Sequence, residues 1–150
     1  MYRLDRDVLS LSGVSTVIWF EGTNDLSRDG ESKLQIVEEK LAEGVRRIRA
    51  ALPKARVIGA TLTSARGHFD PAYGTLQHEQ RREALNSYVR TPDLFDAVID
   101  FDAATIDPSS GELRPELVLG IFGGGGGDKL HPNRLGHLAM GAAAYDVMHP

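Results

Sequence analysis

The sequence has 150 residues, 41% hydrophobic and 25% charged, and no cysteine, which excludes disulfides and thiolate metal sites. That length suits a single domain over residues 1–150 with a core that needs no staple, and the composition excludes a disordered tail, a collagen-like repeat and a coiled-coil rod. Seventeen basic against 21 acidic residues give a net charge of −4 with no basic block, which argues against a nucleic-acid partner.

Residues 1–7 do not read as a secretory leader, because Asp5 and Asp7 stand where a basic region and an apolar core belong. No apolar run approaches the ~18 residues of a membrane span. Residues 14–20 (VSTVIWF) are β-branched and aromatic and are closed by Glu21-Gly22, which predicts a buried strand. From 31 to 52 the period changes: Leu34, Val37, Leu41, Val45, Ile48 and Leu52 form one helical stripe, with Asp29 or Ser32 as cap and Pro53 as stop. Residues 56–62 (RVIGATL) form a second buried strand, followed by a turn at 64–67. A second helix over 75–89 carries His78, Arg81, Leu85 and Tyr88 on one face, and its weaker apolar pattern predicts greater exposure. Residues 97–101 (AVIDF) make a third strand. Residues 107–127 are loop-like, with Asp-Pro, Ser-Ser-Gly and five consecutive glycines. The last helix starts near Asn133 and puts Leu135, Leu138, Ala142 and Tyr145 on one face.

Strands alternating with helices at this spacing predict an α/β fold of parallel strands with crossover helices. Ligands in such sheets bind outside the carboxyl ends of the strands. Two loops are expected at that edge: Gly22-Thr23-Asn24-Asp25 and Asp128-Lys129-Leu130-His131-Pro132.

Asp128 and His131 are three residues apart at the entrance to a helix. The spacing lets the carboxylate accept a hydrogen bond from one imidazole nitrogen while the other faces a pocket, as a general base requires. The plainer alternative is an acid near a helix N-terminus beside a surface histidine. Asn24 follows a strand through glycine, and its amide suits an oxyanion hole. Its plainer alternative is a strand-end turn. The glycines at 123–127 do not make a phosphate loop, since Asp128 stands where lysine is needed and no Ser or Thr follows Lys129. A metal site from Asp128, His131 and His137 is discounted, because six helical residues turn through about 600° and separate the two imidazoles. His68, His78 and His149 read as solvated.

Taken together, the strand ending in Glu-Gly-Thr-Asn-Asp and the C-terminal Asp-Lys-Leu-His-Pro-Asn resemble the third and fifth blocks of the SGNH (GDSL-type) hydrolase family. Residues 59–63, 82–90 (REALNSYVR) and 95–102 (FDAVIDFD) also look like that family's order and phrasing, so the likeness runs from about 3 to 148. The resemblance implies a three-layer α/β/α, flavodoxin-like parallel sheet. His131 would be the general base, Asp128 its orienting acid and Asn24 the side-chain oxyanion donor. The implied chemistry is hydrolysis of acyl or acetyl esters of small molecules or carbohydrates through an acyl-serine, with neither metal nor organic cofactor.

The family's first block, Gly-Asp-Ser, carries the nucleophile, and its second supplies a glycine backbone donor. Neither has a counterpart here, so the resemblance implies an N-terminally truncated sheet. Ser64, at the carboxyl end of the second strand, could approach the cleft, but it stands outside any Gly-Asp-Ser context and is a disfavoured substitute nucleophile. Two readings follow: an ester hydrolase, or a non-catalytic remnant that keeps the cleft as a binding or assembly module. With its neighbours missing, the strand 14–20 would leave an unpaired edge. That predicts a homo-oligomer with a continuous sheet, or association with the missing N-terminal segment.

Overall fold

The structure is a computed structural model that describes residues 2–27, 32–118, 120 and 127–150. The expected cap Asp29 and most of the glycine run lie outside these residues. A short helical lead-in, α1 (Tyr2–Leu4) continued by a π-helical turn at Asp5–Leu9, precedes β1 (Thr16–Trp19). Then come α2 (Thr23–Leu26), α3 (Ser32–Ala51), β2 (Arg56–Ala60), α4 (Leu76–Val89), β3 (Ala97–Ile99), α5 (Phe101–Thr105) and α6 (Arg134–Met148).

The three strands form one parallel sheet in the order β1-β2-β3, with Val17 opposite Val57 and Ile58 opposite Ala97. A parallel neighbour needs a crossover, and α3 and α4 provide the two. Side chains alternate across the strands and build a core on each face. On one, Val57 and Leu62 pack with Leu41, Val45 and Ile48 of α3 and Leu85 and Val89 of α4. On the other, Ile58, Ala60 and Ile99 meet Phe101 of α5 and Met140 of α6. The result is the expected three-layer α/β/α arrangement.

Three expectations change. The first strand is not buried: Ile18 and Phe20 are 43% and 41% exposed, because β1 stands at the sheet edge and α6 covers the β3 side of that face. The last helix is turned the other way. Leu135, Leu138 and Tyr145 face outward, while Gly136, Met140, Ala143, Ala144 and Val147 pack inward, with Met140 filling the core beside Ile58 and Ile99 and the small Ala143 and Ala144 packed against it. Most of α4 is not exposed either. His78, Glu79, Arg82, Leu85, Asn86 and Val89 are all buried, and the polar members Glu79, Arg82 and Asn86 find hydrogen-bond partners there. Among the described residues no helix is long and apolar enough to cross a membrane.

Candidate active site

Asp128 and His131 meet as their spacing predicts. One carboxylate oxygen, Oδ2, lies 2.5 Å from His131 Nδ1. The other accepts the amide hydrogens of Leu130 and His131, at 3.0 and 2.8 Å, closing a tight turn. Burial opposes the charge on Asp128, but the two amides and the imidazole outweigh it and hold its pKa below the ordinary carboxylate value. His131 remains well exposed, and Nε2 has no hydrogen-bond partner among the described residues.

The turn is fastened on both sides. Asn133 caps α6 by accepting from the Leu135 and Gly136 amides, and its own amide donates to the Glu116 and Val118 carbonyls at 2.7 and 2.9 Å. Lys129 pairs with Glu112 at 2.9 Å and lies beside Gly67, in the loop leaving β2. The Asp128–His131 turn therefore neighbours loops at the carboxyl ends of the strands.

Asn24 occupies the loop leaving the neighbouring strand, β1. Gly22 opens the turn with φ 136°, a conformation that strains any other residue, and a Cβ there would come within 2.9 Å of Leu85. Leu26 is fully buried and anchors the four-residue α2. Asn24 Oδ1 accepts from the Tyr73 hydroxyl at 3.0 Å, while Nδ2 meets no acceptor among the described residues. No hydrogen bond joins Asn24 to Asp128 or His131.

Behind these loops sits a polar cluster that the apolar periodicity does not reveal. The Arg82 guanidinium binds both oxygens of Glu79, at 3.0 and 2.6 Å, as well as Asp102 and the Leu62 carbonyl. Burial works against its charge, yet Glu79 and Asp102 keep it above its ordinary pKa. Ser64 belongs to this cluster. It is fully buried, its hydroxyl donates to the Gly111 carbonyl at 2.7 Å, and its oxygen takes the Arg66 amide. Its hydroxyl is committed to joining loops. His68 is half-buried, and His78 is fully buried against Tyr73 instead of solvated. Among the described residues no group of three His, Asp or Glu side chains could hold a metal ion.

An open groove of about 750 Å³ runs along the free edge of β1, past Val17, Ile18 and Trp19, between α1 and α3, and ends at Gly22 and Asp25. None of Asn24, Asp128 and His131 lines it.

Fold and loops together define a class first: an open, parallel α/β/α protein with its polar loops at the carboxyl ends of the strands. The chain belongs to the GDSL-like lipase/acylhydrolase family, whose profile matches residues 2–139. No curated protein sequence matches it. Among solved structures it is similar to a GDSL-like lipase from Bacteroides thetaiotaomicron, at 20% identity and a TM-score of 0.77, covering 97% of this chain and 66% of that one. It also resembles a putative acylhydrolase from Bacteroides fragilis, at 20% identity, a TM-score of 0.72 and coverages of 97% and 65%. A third is a catalytic mutant of an acetylxylan esterase from Geobacillus stearothermophilus, at 21%, 0.61, and 97% and 64%. The chain thus spans just under two thirds of the length of these relatives.

Proposed function

We infer that this chain supplies the acid–base pair and the side-chain oxyanion donor of a serine ester hydrolase. His131 Nε2 takes the proton of a serine hydroxyl as it attacks the acyl carbonyl, then returns it to the departing alkoxide. Asp128 holds the ring in the tautomer that leaves Nε2 available and balances the imidazolium. Asn24 Nδ2 donates to the oxygen that becomes negative in the tetrahedral intermediate. The observation that carries this reading is the 2.5 Å contact of Asp128 Oδ2 with His131 Nδ1, which leaves Nε2 unpartnered among the described residues. Membership of the acylhydrolase family supports the reaction class. The acetylxylan esterase among the similar structures supports a short acyl or acetyl ester of a carbohydrate or small alcohol as substrate.

The nucleophile comes from a strand–helix segment paired along β1. Support lies in the committed, buried hydroxyl of Ser64, in the exposed Ile18 and Phe20, and in the groove along the free edge of the same strand, which Ile18 also lines. Such a segment would give β1 a second neighbour and bring its serine to the carboxyl edge. A second copy of the chain along that edge is the other occupant, and it would give a continuous two-chain sheet.

The test uses wild-type and His131→Ala proteins of verified mass, with p-nitrophenyl acetate as substrate. Each is assayed alone and with an added strand–helix segment bearing a Gly-Asp-Ser block. Hydrolysis above the His131→Ala control, with a fluorophosphonate adduct on the segment's serine, supports the proposal. A dimer by light scattering assigns the edge to a second copy. The lack of any serine hydroxyl bonded to His131 among the described residues favours a second reading, a non-catalytic binding or assembly module. Equal background in every sample would decide for it.

A further inference from the structure

An asparagine amide works as an oxyanion donor only if its nitrogen, and not its oxygen, faces the cleft. The two ends are nearly the same size, so the surroundings must choose between them. At Asn24 that choice falls to one group. The Tyr73 hydroxyl meets Oδ1 at 3.0 Å, across 49 residues of sequence. A phenol is a strong donor and a weak acceptor, so it favours the amide oxygen over the amide nitrogen in that place. Nδ2 is then turned away from Tyr73 and has no acceptor among the described residues.

Tyr73 is itself held firmly. The Tyr73 and Gly74 amides both donate to the Asp70 carbonyl, at 3.0 and 2.9 Å. The Asp70 amide donates to His68 Nδ1, and the Asp70 carboxylate accepts from the Ala72 amide at 2.8 Å. Only glycine closes this turn, because a Cβ on Gly74 would fall 1.9 Å from the His68 carbonyl oxygen. The phenol ring stands edge-on to two imidazoles, His68 at 5.6 Å and the fully buried His78 at 5.8 Å. Thr75 caps α4 immediately afterwards. A self-braced turn thus presents one hydroxyl to one amide oxygen.

We propose that Tyr73 is a positioning residue, whose hydroxyl holds the Asn24 amide oxygen so that Nδ2 is turned away from it and left free to donate to a bound carbonyl oxygen. The catalytic meaning of this arrangement rests on the ester-hydrolase reading, whereas the orientation itself can be measured without turnover.

The sequence contains three asparagines, Asn24, Asn86 and Asn133, so protein labelled with ¹⁵N-asparagine gives three side-chain amide pairs. Asn86 and Asn133 donate to backbone carbonyls away from Tyr73 and serve as internal references. Tyr73→Phe keeps the ring and removes only the hydroxyl. The Asn24 pair, assigned by its loss in Asn24→Ala, should be ordered in the wild type and lose its heteronuclear NOE in Tyr73→Phe while the other two stay unchanged. An Asn24 pair equally ordered in both proteins, or disordered in the wild type, overturns the proposal. A second reading needs no variant: a slowly exchanging Tyr73 hydroxyl proton with a cross-peak to the Asn24 side chain supports it, and absence of that proton counts against it. In protein that hydrolyses p-nitrophenyl acetate, Tyr73→Phe should lower kcat about tenfold at constant KM and add nothing to Asn24→Ala, part of the loss that follows removal of a whole donor. An unchanged kcat overturns the positioning role. Wild-type protein that shows no hydrolysis even with the added Gly-Asp-Ser segment removes the ester-hydrolase reading, and the NMR result still decides what Tyr73 does.

Discussion

Asn86 takes up both backbone polar groups of Leu62: its Oδ1 accepts the Leu62 amide at 2.7 Å and its Nδ2 donates to the Leu62 carbonyl at 2.9 Å. Leu62 lies just beyond the end of β2, where the strand ladder has stopped, so a side chain from α4 does what a neighbouring strand would do. Asn86→Ala leaves the buried Leu62 amide without a partner. The expected loss is about 1–3 kcal/mol of unfolding free energy, read from urea melts at constant m-value.

The pairing of Asp128 with His131 gives a sharper test of mechanism. In Asp128→Asn, Oδ1 can still accept the two turn amides, so the loop keeps its shape. The other arm of the side chain no longer accepts from Nδ1–H, and the ring settles in the wrong tautomer. In the complete active assembly kcat should fall by roughly 10⁴-fold with the melting temperature nearly unchanged. A drop in melting temperature that parallels the loss of activity would assign Asp128 to the loop alone.

A pH dependence follows from His78. Burial lowers its pKa below the ordinary 6.5, and the Thr23 backbone, acting in the opposite direction, does not offset this. The unfolded chain therefore binds a proton at a pH where the folded protein still refuses it. Stability is full above about 6.5 and declines as the pH falls from there through the folded-state pKa. Urea midpoints for the wild type should fall over that window, and His78→Gln should flatten the slope. Parallel curves for the two proteins would refute the assignment.

The open edge of β1 has a consequence for the isolated chain. With Ile18 and Phe20 exposed beside unpaired backbone groups, the 150-residue protein should self-associate as its concentration rises. Ile18→Lys places a charge on that surface and should reduce the mass seen by light scattering. The melting temperature of the dilute protein should stay within a few degrees, because the side chain is already 43% exposed. A wild-type chain that stays monomeric at high concentration would show that this edge recruits no second copy.

Much of this protein is legible along the sequence, because its signals are local. The β-branched runs around Ile18 and Ile58 and the Leu34-to-Leu52 stripe report strand and helix periods whatever surrounds them. Asp128 and His131 sit on one short turn, so their contact needs nothing beyond their spacing. Periodicity does not say which face of an element finds a partner. The apolar stripe of α6 with Leu135 and Leu138 points outward, and the face carrying Met140, Ala143 and Ala144 packs on the sheet instead. In α4 the weak apolar pattern conceals a buried face, because Arg82 pairs with Glu79 while Arg82 and Asn86 bind the Leu62 backbone, a partner that only the fold brings there. The bond from Tyr73 to Asn24 is of the same kind. It joins Asn24, which the sequence marks out, to Tyr73, which it does not, and only the parallel sheet, by delivering both segments to one edge, makes them neighbours.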